Sequence, residues 1–176
     1  MRIIVAGGDG FIGWPLSMKL SKEGHEVLIV DCLLRRKIDE DNGYSSISPI
    51  KTIYERLAKW KEVTGKTIQF KKIDIAAEKD EFFSAFEEFN PDAIVHLAEQ
   101  KSAPYSMKDL ETVGETYTNN TQSTLNVLLA IMKYNQKCHL VHIGTMGVYG
   151  YGAIEGSEIP EGYCKAKLHC EHTEKC

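Results

Sequence analysis

The chain begins with an apolar run that leads directly into a glycine-rich segment. Residues 2–7 read RIIVAG, a continuous β-branched run that predicts a buried parallel strand. GGDGFIG follows at 7–13 with Gly7, Gly10 and Gly13 at three-residue spacing, and residues 11–24 have helical spacing. A glycine turn between a strand and a helix lets backbone N–H groups approach a phosphate. This context favours a dinucleotide-binding unit over a glycine-rich turn without a ligand.

Strand-like and helix-like segments alternate along the rest of the chain. Strands are predicted at 26–31, 67–74, 92–98 and 138–144, and helices at 50–65, 78–89 and 115–135, with a polar loop after the second strand. The alternation predicts an α/β fold: a doubly wound (Rossmann) parallel sheet with helices on both faces. We expect one NAD-binding domain at 1–150, followed by a tail at 151–176.

Composition excludes several classes of function. The chain has 176 residues and a net charge of −4, so its charge favours neither nucleic acid nor an anionic membrane. No apolar run reaches the roughly 18 residues that a membrane span needs. Five cysteines are an odd and unevenly spread set, which argues against a disulfide framework and fits a reducing compartment. We therefore expect a cytoplasmic protein.

Charged residues follow the second and third predicted strands. Asp31 stands about 20 residues after the glycine loop, where an acid accepts from the ribose hydroxyls of NAD and repels the 2′-phosphate of NADP. Arg35 and Arg36 argue mildly the other way; alternatively they hold other cofactor phosphates, stack on adenine or lie in solvent. Asp74 could accept from the adenine amino group or could cap a helix.

Small and polar residues follow the fourth and fifth strands. His96, Leu97 and Ala98 end the fourth strand, at the sheet edge where ligands bind in doubly wound folds. Asn120 lies on the long helix and either hydrogen-bonds near that strand or faces solvent. Thr145 follows the fifth strand and places its hydroxyl near the expected nicotinamide, unless it is a simple turn residue.

GGDGFIG, VDCLLRR, HLAEQKSAPYS and GTMGVYG together resemble the extended short-chain dehydrogenase/reductase family, among its sugar-nucleotide epimerases and dehydratases. EQKSAPYSM at 99–107 and CHLVHIGTMGVYG at 138–150 are similar to sulfite-using members. The likeness covers 1–150 nearly continuously. It implies NAD as cofactor, UDP-glucose and sulfite as substrates, and a homodimer when full length. The alternatives are another UDP- or dTDP-hexose epimerase or 4,6-dehydratase, and a catalytically silent NAD-binding module.

The resemblance also implies a reaction and a set of site residues. C4 of the glucose is oxidised to a 4-keto intermediate, water leaves from C6, sulfite adds, and hydride returns to C4. Thr145 would bond the hydroxyl that is oxidised. The residues that would hold NAD are Gly7, Gly10, Gly13, Asp31, Arg35, Arg36, Asp74, Leu97, Ala98, Glu99 and Asn120. The residues that would border the sulfite and sugar pocket are Gln100, Lys101 and Ser102. Lys101 stands where the family has arginine, so bidentate geometry is lost there.

Tyr163 and Lys167 form a Tyr-x-x-x-Lys pair near the end of the chain. Such a pair could remove the proton from the C4 hydroxyl. Tyr163 follows Thr145 by 18 residues, a shorter gap than this superfamily has, and IPEGY at 159–163 also fits a substrate loop. Under the second interpretation the resemblance implies that 151–176 is a substrate-loop-like or disordered tail. The chain is then expected to stop before the tyrosine helix and the carboxyl-terminal substrate domain.

Cysteines recur at Cys164, Cys170 and Cys176 with histidines between them. Zinc accepts such ligands, but the spacing matches no familiar zinc motif, so we predict no metal site and a disordered tail.

Overall fold

The structure, a computed structural model, describes residues 1–144, of which Met1–Ile143 form one compact unit. The strands are β1 (Arg2–Ala6), β2 (Glu26–Val30), β3 (Gln69–Lys71), β4 (Ala93–His96) and β5 (His139–His142). The helices are α1 (Gly13–Lys22), α2 (Leu34–Asp41), α3 (Ile53–Thr64), α4 (Lys79–Phe89), α5 (Ala103–Ser106) and α6 (Leu110–Tyr134). Among these residues no helix has the length and apolar character that crossing a membrane requires.

The strands form one sheet in the order β3-β2-β1-β4-β5, and every neighbouring pair is parallel. Chain order reverses beside β1, since β2 lies on one side of it and β4 on the other. The loops after β1 and β4 therefore leave the same sheet edge on either side of a crevice, where such folds bind ligands.

Helices cover both faces of the sheet. On one face, α4 and α6 contribute Phe82, Phe86, Val127 and Ala130 to a buried core with β-strand residues. On the other face, α1 and α3 contribute Trp14, Leu20, Ile53 and Trp60 to a second core. The predicted doubly wound α/β sheet is confirmed.

Three elements differ from the sequence-based prediction. The predicted polar loop after β2 contains α2, in which Ile38 is buried and Arg35 pairs with Asp39 one turn later. Helix α6 begins at Leu110 and not at 115, because Asp109 and Thr112 form a capping box. Strand β3 is shorter than predicted because it is at the edge of the sheet and pairs only with β2.

The start of α1 packs directly on the turn before it. A Cβ atom at Gly13 would overlap the carbonyl oxygen of Gly7 and lie 2.7 Å from the Cα of Gly8. Both neighbours are backbone, so neither can move away without moving the turn itself. The motif's third glycine is therefore required by the packing of this chain.

We expect Gly13→Ala to lower the free energy of unfolding by about 1–3 kcal/mol, since the added methyl group overpacks the turn. Urea denaturation followed by circular dichroism measures the change. Gly114→Ala on α6 is the matched control: a Cβ there meets no atom within 4 Å, so stability should rise by about 0.5–1 kcal/mol. Equal stability of the Gly13→Ala and unsubstituted chains would contradict this account of the turn.

Candidate functional site

The glycine turn lies against the end of β4. Gly7 has a φ of +80°, and its N–H donates to the carbonyl of Val30 at 2.8 Å. A Cβ at Gly7 would lie 2.8 Å from the carbonyl carbon and oxygen of Leu97 and 2.9 Å from the amide nitrogen of Ala98. The turn can approach these two predicted nicotinamide-side residues only because position 7 has no side chain.

The space in front of α1 is open. Gly10 is exposed, and a Cβ there would have only the carbonyl oxygen of Gly7 within 4 Å, at 3.3 Å. The N-cap residue Ile12 makes no side-chain capping hydrogen bond. A helix N-terminus without a side-chain cap offers N–H groups and a positive dipole end to an anion.

The carboxylate of Asp31 lies against the glycine turn. One oxygen accepts from the N–H of Asp9 at 2.9 Å and the other from the N–H of Leu33 at 2.8 Å. Burial raises the pKa of Asp31, and the two backbone hydrogen bonds oppose this rise. Each oxygen keeps a second lone pair with which to accept a hydroxyl proton.

Asp9, inside the glycine loop, accepts hydrogen bonds from two arginines. The Nε of Arg36 donates to it at 2.6 Å, and the Nη2 of Arg56 donates to its other carboxylate oxygen. The guanidinium of Arg56 also lies 4.5 Å from the ring centroid of Trp14. Sequence reasoning missed Asp9 and Arg56; an acid between the motif's glycines was the available signal that a cation would be needed nearby.

The pKa values of the two arginines are shifted in opposite directions. Hydrogen bonding to Asp9 raises the pKa of Arg36, whereas burial lowers the pKa of Arg56 despite the opposing attraction of Asp9. Asp31 is close enough to favour the charged form of both. Two carboxylates and two guanidinium groups thus form a cluster whose formal charges balance.

Within residues 1–144, neither Arg35 nor Asp74 makes a hydrogen bond to the glycine turn. Arg35 is exposed and pairs with Asp39 at 2.9 Å along α2. Asp74 follows β3 and accepts from the N–H groups of Ala76 and Ala77 at 2.9 and 3.1 Å. The alternative role of Asp74 as a helix cap is wrong for α4, whose N-cap residue is Glu78.

Asn120 of α6 fixes the loop after β4. Its side-chain oxygen accepts from the N–H of Gln100 at 2.8 Å, and its nitrogen donates to the carbonyl of Gln100 at 3.0 Å. The neighbouring Asn119 donates to the carbonyl of Ala98 at 3.5 Å. The predicted hydrogen bond between Asn120 and the region of strand four is confirmed.

The predicted substrate-side residues share this loop. The side chain of Gln100 accepts from the N–H of Ser102 at 2.9 Å, and Ser102 is the N-cap of α5. Lys101, between them, is exposed. The structure therefore gives Gln100 and Ser102 roles in shaping the loop, whereas Lys101 is exposed to solvent.

His96 is buried at the end of β4. Its Nε2 lies 3.2 Å from the hydroxyl of Thr124 and 3.4 Å from that of Ser123. Burial lowers the pKa of His96 to about 4, with a further contribution from His142. The Nε2 of His142 lies 3.5 Å from a carboxylate oxygen of Glu99, a predicted cofactor residue.

The remaining predicted residues lie outside the described part of the chain. These are Thr145, Tyr163, Lys167, Cys164, Cys170 and Cys176, together with the tail at 151–176 and the domain boundary at 150.

Known proteins similar to this chain point to one family. The model of the NAD dependent epimerase/dehydratase family matches residues 3–173. The chain is 44% identical over 162 residues to the chloroplastic UDP-sulfoquinovose synthase of Spinacia oleracea, covering 92% of this chain and 33% of that protein. It is 42% identical over 161 residues to the UDP-sulfoquinovose synthase of Sulfolobus acidocaldarius, covering 92% of this chain and 40% of that protein. The predicted family resemblance is confirmed, and both of these relatives are UDP-sulfoquinovose synthases.

Solved structures show the same fold. A UDP-glucose-4-epimerase from Stenotrophomonas maltophila, with bound NAD and formylated UDP-arabinopyranose, matches with a TM-score of 0.67 and 24% identity over 89% of this chain and 40% of that one. A UDP-glucose 4-epimerase from Bifidobacterium longum matches with a TM-score of 0.66 and 24% identity, over 96% of this chain and 43% of that one. The chain thus spans between 33% and 43% of the length of these relatives. Its sequence and its fold agree, and the chain belongs to the NAD dependent epimerase/dehydratase family.

Proposed function

We propose that the chain is the NAD-binding part of an enzyme that makes a sulfonated sugar nucleotide, UDP-sulfoquinovose, from UDP-glucose and sulfite. The observation that carries this proposal is the open glycine turn beside the end of β4 in a chain 44% identical to a UDP-sulfoquinovose synthase. Activity, substrates and partners are proposed for the whole protein, because the chain matches 33% of that relative's length.

Three features of the described residues fit a bound dinucleotide. Gly10 leaves room for close approach, the start of α1 has no side-chain cap, and Asp31 has lone pairs to accept from ribose hydroxyls. Bound NAD would supply a hydride acceptor at the sugar's C4. The roles of Gly7 and Gly13 would be to shape the turn, and Leu97, Ala98 and Glu99 would line the nicotinamide side.

The charge cluster favours NAD over NADP. Arg36 and Arg56 are both attracted to Asp31, and both already donate to Asp9. A 2′-phosphate would be repelled by the Asp31 carboxylate, and these two paired guanidinium groups would offset the repulsion less than unpaired ones. In our proposal Arg36 therefore assists NAD binding indirectly: it binds Asp9 and thereby positions the glycine loop.

The loop after β4 would border the sugar and sulfite. Gln100 and Ser102 hold the loop's shape, and the exposed ammonium of Lys101 would attract sulfite as a single charge. Thr145 would bond the C4 hydroxyl, and Asp74 would accept from adenine. Asn120 would support this arrangement through its two hydrogen bonds to Gln100.

We also propose a homodimer for the whole protein, located in the cytoplasm. An exposed apolar stripe on α6 supports association: Leu125, Leu128, Leu129 and Met132 are spaced as one helical face and are 46%, 42%, 38% and 65% exposed. The spinach relative is described as chloroplastic, so fractionation of the source cells is the measurement that decides the compartment.

We expect native mass spectrometry of the purified chain to show a shift equal to one NAD relative to its denatured mass. UDP-glucose and sulfite are then added, and the solution is searched for UDP-sulfoquinovose by liquid chromatography with mass detection. A sulfonated product that requires sulfite supports the whole proposal.

The other outcomes separate the alternatives. UDP-galactose formed without sulfite would favour a 4-epimerase. This is the second candidate because the chain is 30% identical to the UDP-glucose 4-epimerase of Drosophila melanogaster. NAD without any turnover fits a silent module or a part that needs the rest of its enzyme. Absence of NAD binding even after titration with the free cofactor would contradict the proposal.

Gly10→Ala tests the proposed approach of the pyrophosphate. The added methyl group would make one tight contact, 3.3 Å to the Gly7 carbonyl oxygen, and would meet no other atom within 4 Å, so we expect the free energy of unfolding to fall by less than about 1 kcal/mol. It would project toward the ligand, so we expect NAD affinity, measured by calorimetry, to fall by about tenfold or more. Unchanged affinity in this variant would place the phosphates elsewhere.

Arg36→Gln and Arg35→Gln form a matched pair on α2. Arg36→Gln removes a charge partner of the nearly buried Asp9, so we expect NAD affinity to fall by about tenfold because the glycine loop loses a support. Arg35→Gln removes only an exposed helix ion pair, so we expect a change of about twofold or less. Comparable losses in both variants would instead indicate that the two arginines contact the cofactor directly.

A further inference from the structure

Three side chains with metal-binding atoms meet where β4 and β5 end. His96 and His142 are paired residues in the register of these parallel strands, so their rings share one face of the sheet. Glu99 follows β4 in the next loop. One ligand atom from each of the three residues lies within 4.8 Å of the other two.

The buried ring of His96 has a partner on one nitrogen only. Its Nε2 is bonded to the hydroxyl of Thr124, while its Nδ1 is buried with no hydrogen-bond partner among residues 1–144. A buried polar atom without a partner is costly, and a metal ion on Nδ1 would remove that cost. Donation from the other ring nitrogen to a neighbouring group is the contact that usually orients a ligating histidine.

The other two ligands already have a suitable separation. The Nε2 of His142 and the Oε1 of Glu99 are 3.5 Å apart. Two ligands at the zinc distances of about 2.0–2.1 Å in tetrahedral geometry are about 3.3 Å apart. Their side chains are 35% and 28% exposed, so an ion can enter from solvent on this side.

We propose that His96, Glu99 and His142 bind one divalent transition-metal ion of the Zn²⁺ class. Two imidazoles and a carboxylate suit Zn²⁺, Co²⁺ and Ni²⁺ better than Mg²⁺ or Ca²⁺. Three protein ligands leave a coordination position for water or an anion. Glu99 is also one of the residues proposed to line the nicotinamide side of NAD, so the ion is proposed for, and tested in, the chain without bound NAD, and its binding does not require the proposed reaction.

The test uses Co²⁺ as a spectroscopic probe in the full chain. Cys164, Cys170 and Cys176 are first replaced by serine together, which removes the tail thiolates as competing ligands. The metal-free chain is then titrated with Co²⁺ and followed by visible d–d absorption and calorimetry. We expect one Co²⁺ per chain and displacement by added Zn²⁺.

Variants of the cluster assign the site. We expect His142→Ala and Glu99→Gln each to lower Co²⁺ affinity by about tenfold or more. His139→Ala, an exposed position on the same strand outside the cluster, should leave it unchanged. Glu99→Gln preserves side-chain size, so it remains informative if His142→Ala alters folding by circular dichroism.

Two results would overturn the proposal. Lack of Co²⁺ binding in the serine-substituted chain would leave His142 and Glu99 as a polar contact only. Binding that persists unchanged in both His142→Ala and Glu99→Gln would assign the metal to other residues, such as the tail histidines.

Discussion

The close approach of the backbone at Gly7 to the backbone at the end of β4 determines where the site lies. Any side chain at position 7 would place its Cβ atom 2.8 Å from the carbonyl of Leu97, so the turn after β1 could not pack this closely against the end of β4. The glycine allows this packing, and the glycine turn, Asp31 and the loop that begins at Leu97 therefore lie together at one edge of the sheet. The site therefore depends first on the lack of a side chain at Gly7. The polar groups, such as the Asp31 carboxylate, act within the space that this packing creates.

The charge cluster around Asp9 stabilises the turn conformation that the glycines make possible. A carboxylate that is only 9% exposed needs cationic partners, and it takes them from two helices, α2 and α3, that are distant in sequence. Arg36 also donates to the carbonyl of Lys51, and Arg56 also lies over the ring of Trp14. These contacts link the glycine loop to the packing of both helices. The geometry of the glycine turn thus depends on the positions of α2 and α3 as well as on its own sequence.

The sequence predicts well what depends on local pattern. The strands, the glycine turn and the position of Asp31 follow from periodicity and spacing, and Asn120 follows from the need of an interior amide for a partner. Helix α2 was missed because Ile38 is its only buried residue, so it has almost no apolar period. The Asp9 cluster was missed because its partners are 27 and 47 residues away, and no local pattern encodes a pairing of that kind.

Helix α6 places several loops of the sheet edge at once. Asn120 holds the backbone of Gln100, Thr124 holds the ring of His96, and Asn126 donates to the carbonyl of Ile75 after β3 at 2.7 Å. These residues lie within two turns on the inward side of one helix, whereas Val127 and Ala130 bury its next turns in the apolar core. Because a helix moves as a rigid unit, the apolar packing of Val127 and Ala130 also fixes the hydrogen bonds that Asn120, Thr124 and Asn126 make. The loops after β3 and β4 are consequently positioned relative to each other by one element, even though they are separated by α4.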